Sequence, residues 1–470
     1  MRRKYQVLAT VFCAFCLQAQ AQLPTNPADG GISPKMLQTI KKGYKGTTSD
    51  IAIGNAIRNV DIRTLATVRD NRTTLDDNFS DRVNSKGITN QYSSGRCWLF
   101  TGLNVFRAQA IARFNMGDFQ FSQTYPFFFD QLEKSNLFLQ GIIDTREKPM
   151  DDKMVEWLFK HPLSDGGQFT GVSDLLSKYG IVPADVMRET YSTKNTSRIA
   201  RLIALKLKEN ALDLRQMAQK GAAMSELLAQ KTTMLSTIYR MLVLGFGEPP
   251  TEFTWTQKDA SGKPVSTETY TPLSFYKKYI HDDLQQNYVM LMNDPTRAYN
   301  QLYEIDYDRH VYDGHNWTYV NLPIEEIKEM AIASIKDSTM MYLSCDVGKS
   351  FQREDGTLDL GNFDYSSLMN TTFGMDKKER IATFASGSSH AMTLMAVDIA
   401  KDGKTTKWMV ENSWGAGPHN GHLILTDQWF NEYLFRLVVQ KKYITKKVAK
   451  ILKQKPIRLP AWDPMFAEED

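Results

Sequence analysis

The chain has 470 residues, 42% hydrophobic and 23% charged, with a formal net charge of +4. That length and composition make a globular protein with ample core and room for two or three structural units. Only four cysteines are present, too few for a disulfide scaffold. Met1-Arg2-Arg3-Lys4 is basic, Val7 to Leu17 is a short apolar run, and Ala19-Gln20-Ala21 is a small-residue cleavage pattern. Together they predict a signal peptide over residues 1–21, too short to be a transmembrane helix. The expected location is therefore periplasmic, envelope-associated or secreted. No other stretch is long enough to span a bilayer. Cleavage after Ala21 removes Cys13 and Cys16, leaves Cys97 and Cys345, and lowers the net charge to about +1. Cys345 follows the strand-like run Met340-Met341-Tyr342-Leu343-Ser344 and reads as a small core hydrophobe.

Residues 22–50 are rich in Pro, Gly, Thr and Lys, show little periodicity, and read as a mobile lead-in. Residues 51–90 carry a short helical pattern followed by polar turn residues. The chain then reaches Asn90-Gln91-Tyr92-Ser93-Ser94-Gly95-Arg96-Cys97-Trp98-Leu99-Phe100. Leu99, Leu103, Phe106 and Ala110 recur with helical spacing, so Cys97 is expected in the first turn of a helix capped by Ser93 or Ser94. Unpaired N–H groups and the helix dipole there favour the thiolate, the nucleophilic form. Gln91, six positions earlier, is expected to aim its amide at the same spot as the Cys97 N–H. Two such donors beside a thiolate form half of an acyl-transfer site.

Further along, the aromatic cluster Tyr125 to Leu132 reads as core. Ser197 to Leu244 is helical in composition, with Gly221 its only breaker. Residues 251–270 read as a hairpin turning at Ser261-Gly262-Lys263-Pro264, and Leu322-Pro323-Ile324 opens a helix to about Asp337. From Lys441 to Arg458 eight of eighteen residues are Lys or Arg; without a base-reading motif this reads as a solvated face, and nucleic acid is not expected as a partner. His419 and His422 have no carboxylate at matching spacing and no third His nearby, so they read as surface-loop residues, as do His310 and His315. No metal or organic cofactor is expected.

A base for Cys97 is offered by His390, at the start of a strand-like run after Ser386-Gly387-Ser388-Ser389. A turn at Lys401-Asp402-Gly403-Lys404 and a second strand, Trp408 to Asn412, follow. A hairpin folded at residue 401 brings His390 and Asn412 to neighbouring positions. An Asn oxygen accepting from one imidazole nitrogen leaves the other for Cys97, the Cys-His-Asn arrangement of papain-like proteases.

These stretches resemble the papain superfamily and, within it, the bleomycin hydrolase and aminopeptidase C branch. The resemblance is carried by Asn90-Gln91 with Ser93 to Trp98, by His390-Ala391-Met392-Thr393, and by Val410-Glu411-Asn412-Ser413-Trp414-Gly415. It continues in Asp165-Gly166-Gly167-Gln168, Lys178 to Pro183, Thr271-Pro272-Leu273, Asn293-Asp294-Pro295, Cys345 to Lys349 and Trp462-Asp463-Pro464-Met465. The fold it implies is α+β, a helical half and an antiparallel β half. Cys97 and His390 lie 293 positions apart, more than a compact domain of that kind needs, so a large, mainly helical insertion is expected. The implied layout is 51–145 and 336–455 for the two parts of the catalytic domain, 146–335 for the insertion, and 456–470 for a C-terminal arm.

The resemblance implies a cysteine aminopeptidase acting on peptides with a free N-terminus, with Cys97 as nucleophile, His390 as base, Asn412 orienting it and Gln91 in the oxyanion hole. It implies that Trp414 shields the His–Asn pair, that the Asp470 α-carboxylate lies in the cleft and holds the substrate's ammonium, and that the chain forms a homo-oligomer, a hexamer. An endopeptidase or other cysteine acyl-transferase uses the same residues, and a catalytically silent binding scaffold is the alternative from another class.

Overall fold

The computed structural model describes residues 30–73 and 75–465. The expected signal peptide and the last five residues, Asp470 among them, lie outside the described residues. The chain divides into two units, residues 1–65 and 66–470. In the first, the stretch read as a lead-in carries a helix, α1 (Pro34–Gly43), and the helical pattern expected from residue 51 belongs to α2 (Thr48–Asn59). The start signals are local. Ser33 accepts from the Met36 N–H ahead of a proline at the first helical position, and Thr47 and Asp50 form a reciprocal capping box. Those caps identify the helices where apolar periodicity does not.

The second unit is built on one helix and one sheet. Helix α3 (Cys97–Phe114) is apolar nearly all round and almost wholly buried, as a central core helix must be. Around it stand α4 (Thr124–Asp144), α5 (Phe169–Tyr179), α6 (Ser197–Gln219) and α7 (Met224–Phe246). The strands are β1 (Asp81–Arg82), the separate hairpin β2 (Phe253–Lys258) and β3 (Pro264–Tyr270), then β4 (Tyr288–Met292), β5 (Gln301–Ile305), β6 (Thr318–Asn321), β7 (Met341–Cys345), β8 (Phe351–Gln352), β9 (Thr357–Leu358), β10 (His390–Ile399), β11 (Thr405–Glu411), β12 (His422–Thr426), β13 (Leu434–Gln440) and β14 (Ile457–Leu459). All but β2 and β3 form one twelve-stranded sheet in the order β14-β5-β6-β4-β13-β7-β10-β11-β12-β9-β8, with β1 on β10. Helix α3 packs across β10 and β7 on one side and against α5 on the other. Gly102 permits the second contact: a Cβ there would lie 2.8 Å from Val172 Cγ2.

The sequence reading holds for several elements. The fold is α+β and papain-like. The α6–α7 break falls at Gly221, which adopts φ +85°, and Tyr125, Phe127 and Phe128 are buried on α4. Within 146–335 the chain is helical as far as Phe246, but β4, β5 and β6 already belong to the main sheet, beside β13. These strands are four or five residues long and two of the joins are parallel, β4 to β6 and β14 to β5, so their partners come from distant parts of the chain. The arm is pinned as far as Met465. Strand β14 pairs with β5, Asp463 bonds Arg297, the Met465 carbonyl accepts from Arg436, and Lys153 Nζ lies 4.2 Å from the Trp462 ring centre. Three of the basic residues between 441 and 458 pair with acids: Lys442 with Asp337, Lys447 with Glu326, Arg458 with Asp306.

Helix and sheet are joined by a buried ion pair. Arg107 of α3 bonds Glu411, the last residue of β11, which also accepts from Ser85; both members of the pair are buried. Removing one partner strands the other charge out of water. Arg107→Met is expected to cost about 3–5 kcal/mol, lowering the urea midpoint without changing the slope, and adding Glu411→Gln is expected to recover much of it. Equal destabilisation by the single and double variants in urea titrations would contradict this.

Candidate active site

Cys97 is the first residue of α3 and is buried. The expected serine cap is absent. The residue before the helix is Arg96, at φ −89° and ψ 18°, and no side chain caps the helix. Ser93 and Ser94 stand too early: the Ser93 N–H donates to the Lys194 carbonyl, and Ser94 Oγ donates to the Gln91 carbonyl. Arg96 supplies the order instead. It is fully buried, its guanidinium makes two bonds to Glu189 at 3.0 and 2.8 Å, and it lies 5.2 Å from the ring centres of both Phe100 and Phe127. Its Nε donates to Ser94 Oγ at 3.1 Å. One planar cation thus fixes the approach to Cys97 and the turn that carries Gln91.

Gln91 is held at three points. Its N–H donates to the Ser413 carbonyl at 2.7 Å, its Oε1 accepts from Ser413 Oγ at 2.6 Å, and one N–H of its amide donates to the Ser94 carbonyl at 2.7 Å. An amide nitrogen carries two donors. One of them is used by Ser94, and Gln91 lines the same cleft as Cys97 and His390.

His390 begins β10, and its Nε2 lies 2.8 Å from Asn412 Oδ1. The register differs from a simple fold at residue 401. Thr393 pairs with Glu411 and Leu394 with Val410, then a bulge shifts Ala396 onto Met409. Asn412 therefore lies one residue past the last pair and reaches His390 diagonally. The Ser413 N–H also donates to Asn412 Oδ1, at 2.8 Å, which settles which end of the amide is oxygen. An oxygen there requires the proton on His390 Nε2, leaving Nδ1 as the acceptor. Trp414 stacks on the imidazole, centres 4.7 Å apart and planes 30° apart, and is itself 36% exposed. It covers one face of the imidazole that bonds Asn412. Burial pushes the His390 imidazole down to about 4, against a smaller upward pull from Asn412. At neutral pH it is uncharged and able to take a proton.

Two other histidines depart from the loop reading. His310 is buried, with Nδ1 on Asp130, Nε2 2.9 Å from Gln168 Oε1, and its ring edge-on to Trp98 at 4.6 Å. Burial, then Lys134, holds it below the ordinary histidine value. Its partners sit 180 and 142 positions away, so nothing in the local sequence announces them. His422 is buried at the start of β12, whereas His419 stays in a short turn and His315 is exposed. Among the described residues no group of three or more His, Cys, Asp or Glu is arranged to hold a metal, and no helix is long and apolar enough to cross a membrane.

A cysteine opening a core helix, a strand histidine paired with an asparagine, and an amide donor in the cleft that the cysteine and histidine line have the arrangement of a papain-like cysteine peptidase site. Comparison with known proteins agrees. The Peptidase C1-like family model matches residues 31–466, and the chain belongs to that family. It is 38% identical to human bleomycin hydrolase over 391 residues, 81% of this chain and 86% of that protein. It is 36% identical to aminopeptidase C of Lactobacillus delbrueckii subsp. lactis over 399 residues, 84% and 88% of the two chains. The crystal structure of PepW from Lactobacillus rhamnosis HN001 superposes with a TM-score of 0.89 at 36% identity, covering 93% of this chain and 99% of that one.

The neutral, buried state of His390 couples folding to pH. Its value is about 4 in the folded chain and an ordinary 6.5 in the unfolded one, so between the two the unfolded chain binds the extra proton. Its contribution is therefore fully present above pH 6.5 and is lost as pH falls toward 4. In urea titrations, wild type is expected to lose stability relative to His390→Gln across that window. A constant difference between the two would show that His390 does not carry the depressed value.

Proposed function

We propose that this chain is an exported cysteine aminopeptidase that removes N-terminal residues from peptides. The observation that carries the reading is the fixed tautomer of His390, with Nε2–H on Asn412 and Nδ1 left as base in the cleft that Cys97 lines. Cys97 Sγ gives its proton to Nδ1 and attacks the carbonyl of the first peptide bond. The developing oxyanion takes hydrogen bonds from the Cys97 N–H and the unused Gln91 N–H. His390 returns the proton to the leaving amine, and a thioester joins the first residue to Cys97. Water, deprotonated by the same Nδ1, attacks that thioester and regenerates the thiol. The exopeptidase character draws on relatives named aminopeptidase C, G and W. Export draws on the basic and apolar pattern of residues 1–21. A homo-oligomer, and the Asp470 carboxylate as a stop in the cleft, draw on the family resemblance.

The test is hydrolysis of a fluorogenic amino-acid amide under reducing conditions, with its N-acetylated counterpart alongside. The free amine alone should be cleaved, Cys97→Ala should lose activity on the order of 10⁴-fold or more, and Gln91→Ala should lose about 10²–10³-fold. Cleavage of the blocked substrate would make the protein an endopeptidase. Full activity in Cys97→Ala would remove the mechanism.

A further inference from the structure

Asp165 stands at the edge of the cleft and has no part in the Cys-His-Asn chemistry. Its Oδ2 is anchored twice, by the Gly95 N–H at 2.8 Å and by the hydroxyl of Thr196, the residue that precedes α6. Oδ1 makes no hydrogen bond among the described residues, and no lysine, arginine or histidine there pairs with the carboxylate. Oδ1 lies against Gly95, two positions before the nucleophile, so close that a Cβ on residue 95 would be 2.4 Å away. The carboxylate is therefore rigid, half satisfied and set in the wall that also carries Cys97. The neighbouring wall is polar, formed by Ser93, Ser94, Thr196 and Ser197, with Tyr92 its one large ring. An aliphatic side chain gains little from such a surface. A cation gains a charge-assisted hydrogen bond to an oxygen whose partner oxygen is already fixed.

We infer that Asp165 binds the cationic nitrogen of the substrate's N-terminal residue and so sets which peptides the cleft accepts. The inference rests on the aminopeptidase reading and deepens it. The cation has two sources on such a substrate, the α-ammonium and the side chain of a lysine or arginine in first position. An enzyme that released one residue at a time would place both within a single residue of Cys97. The geometry also explains why residue 95 is glycine: any side chain there would displace the carboxylate.

The experiment measures kcat and KM for the fluorogenic amides of lysine, arginine, citrulline and leucine, with wild type, Asp165→Asn and Asp165→Ser. Active enzyme is counted in each case by alkylation of Cys97, so that loss of folded protein drops out. Asparagine keeps an oxygen for Gly95 and Thr196 and removes only the charge. If the side chain is the ligand, Asp165→Asn loses about ten-fold in kcat/KM for lysine and arginine and little for citrulline and leucine. If the α-ammonium is the ligand, all four fall by a similar factor through KM, with kcat kept. The inference is overturned if both variants behave as wild type, or if kcat falls equally for all four at unchanged KM, the mark of a displaced Gly95–Cys97 backbone. Failure of wild type to cleave any of the four amides would instead defeat the aminopeptidase reading, and the inference with it.

Discussion

The site depends on one oxygen. Asn412 Oδ1 accepts from the Ser413 backbone N–H and from His390 Nε2 at the same 2.8 Å. The backbone donor orients the amide, the amide fixes the tautomer, and the tautomer leaves a lone pair on Nδ1 for the thiol. Ser413 then acts twice more, through its carbonyl and its hydroxyl, to hold Gln91. His390 and Gln91 are thus registered against one short stretch, Asn412-Ser413, although they come from segments some three hundred positions apart.

Buried charge does the corresponding work on the nucleophile side. The first turn of a helix ordinarily takes a serine, threonine or aspartate cap. Here the approach to α3 is held by the Arg96–Glu189 pair, and the middle of the helix is tied to the end of β11 by Arg107–Glu411. Such pairs contribute little net stability against an apolar replacement, since both ions must be desolvated, but breaking one is costly. They therefore fix position more than they add stability. Arg107–Glu411 sits where helix and sheet meet, and Arg96–Glu189 ties the approach to Cys97 to a loop on the helical side.

The arrangement of the site is legible in the sequence because it is written in short linear stretches. Gln91 to Trp98, His390, and Asn412 with Trp414 each stand out in local pattern, and the turn at Asp402-Gly403 marks the hairpin that joins the last two. What was not legible depends on partners far along the chain. Nothing near Arg96 in the sequence announces Glu189, 93 positions on, which together with two phenylalanine rings encloses it. His310 reads as a loop residue until Asp130 and Gln168 take both its nitrogens. Strands β4 to β6 are too short to announce themselves and gain their identity from β13 and from parallel joins. The hairpin turns about residue 402 rather than 401, with Ala400 opposite Lys404, and that offset moves Asn412 from a facing to a diagonal position. The helix of residues 34–43 escapes the sequence reading for a different reason: its Ser33 cap is present, and apolar period is the wrong signal to follow there.

The most direct test of the account is the rate at which iodoacetamide alkylates Cys97 across the pH range, in wild type and in His390→Ala. Alkylation needs the thiol and its base but no substrate, oxyanion hole or tail. If His390 Nδ1 takes the Cys97 proton, wild type reacts readily at neutral and mildly acid pH, and the variant reacts only as an ordinary thiol ionises, near pH 8.5. Superimposable profiles would mean that His390 does not serve Cys97, and the mechanism built on the Asn412 oxygen would fall.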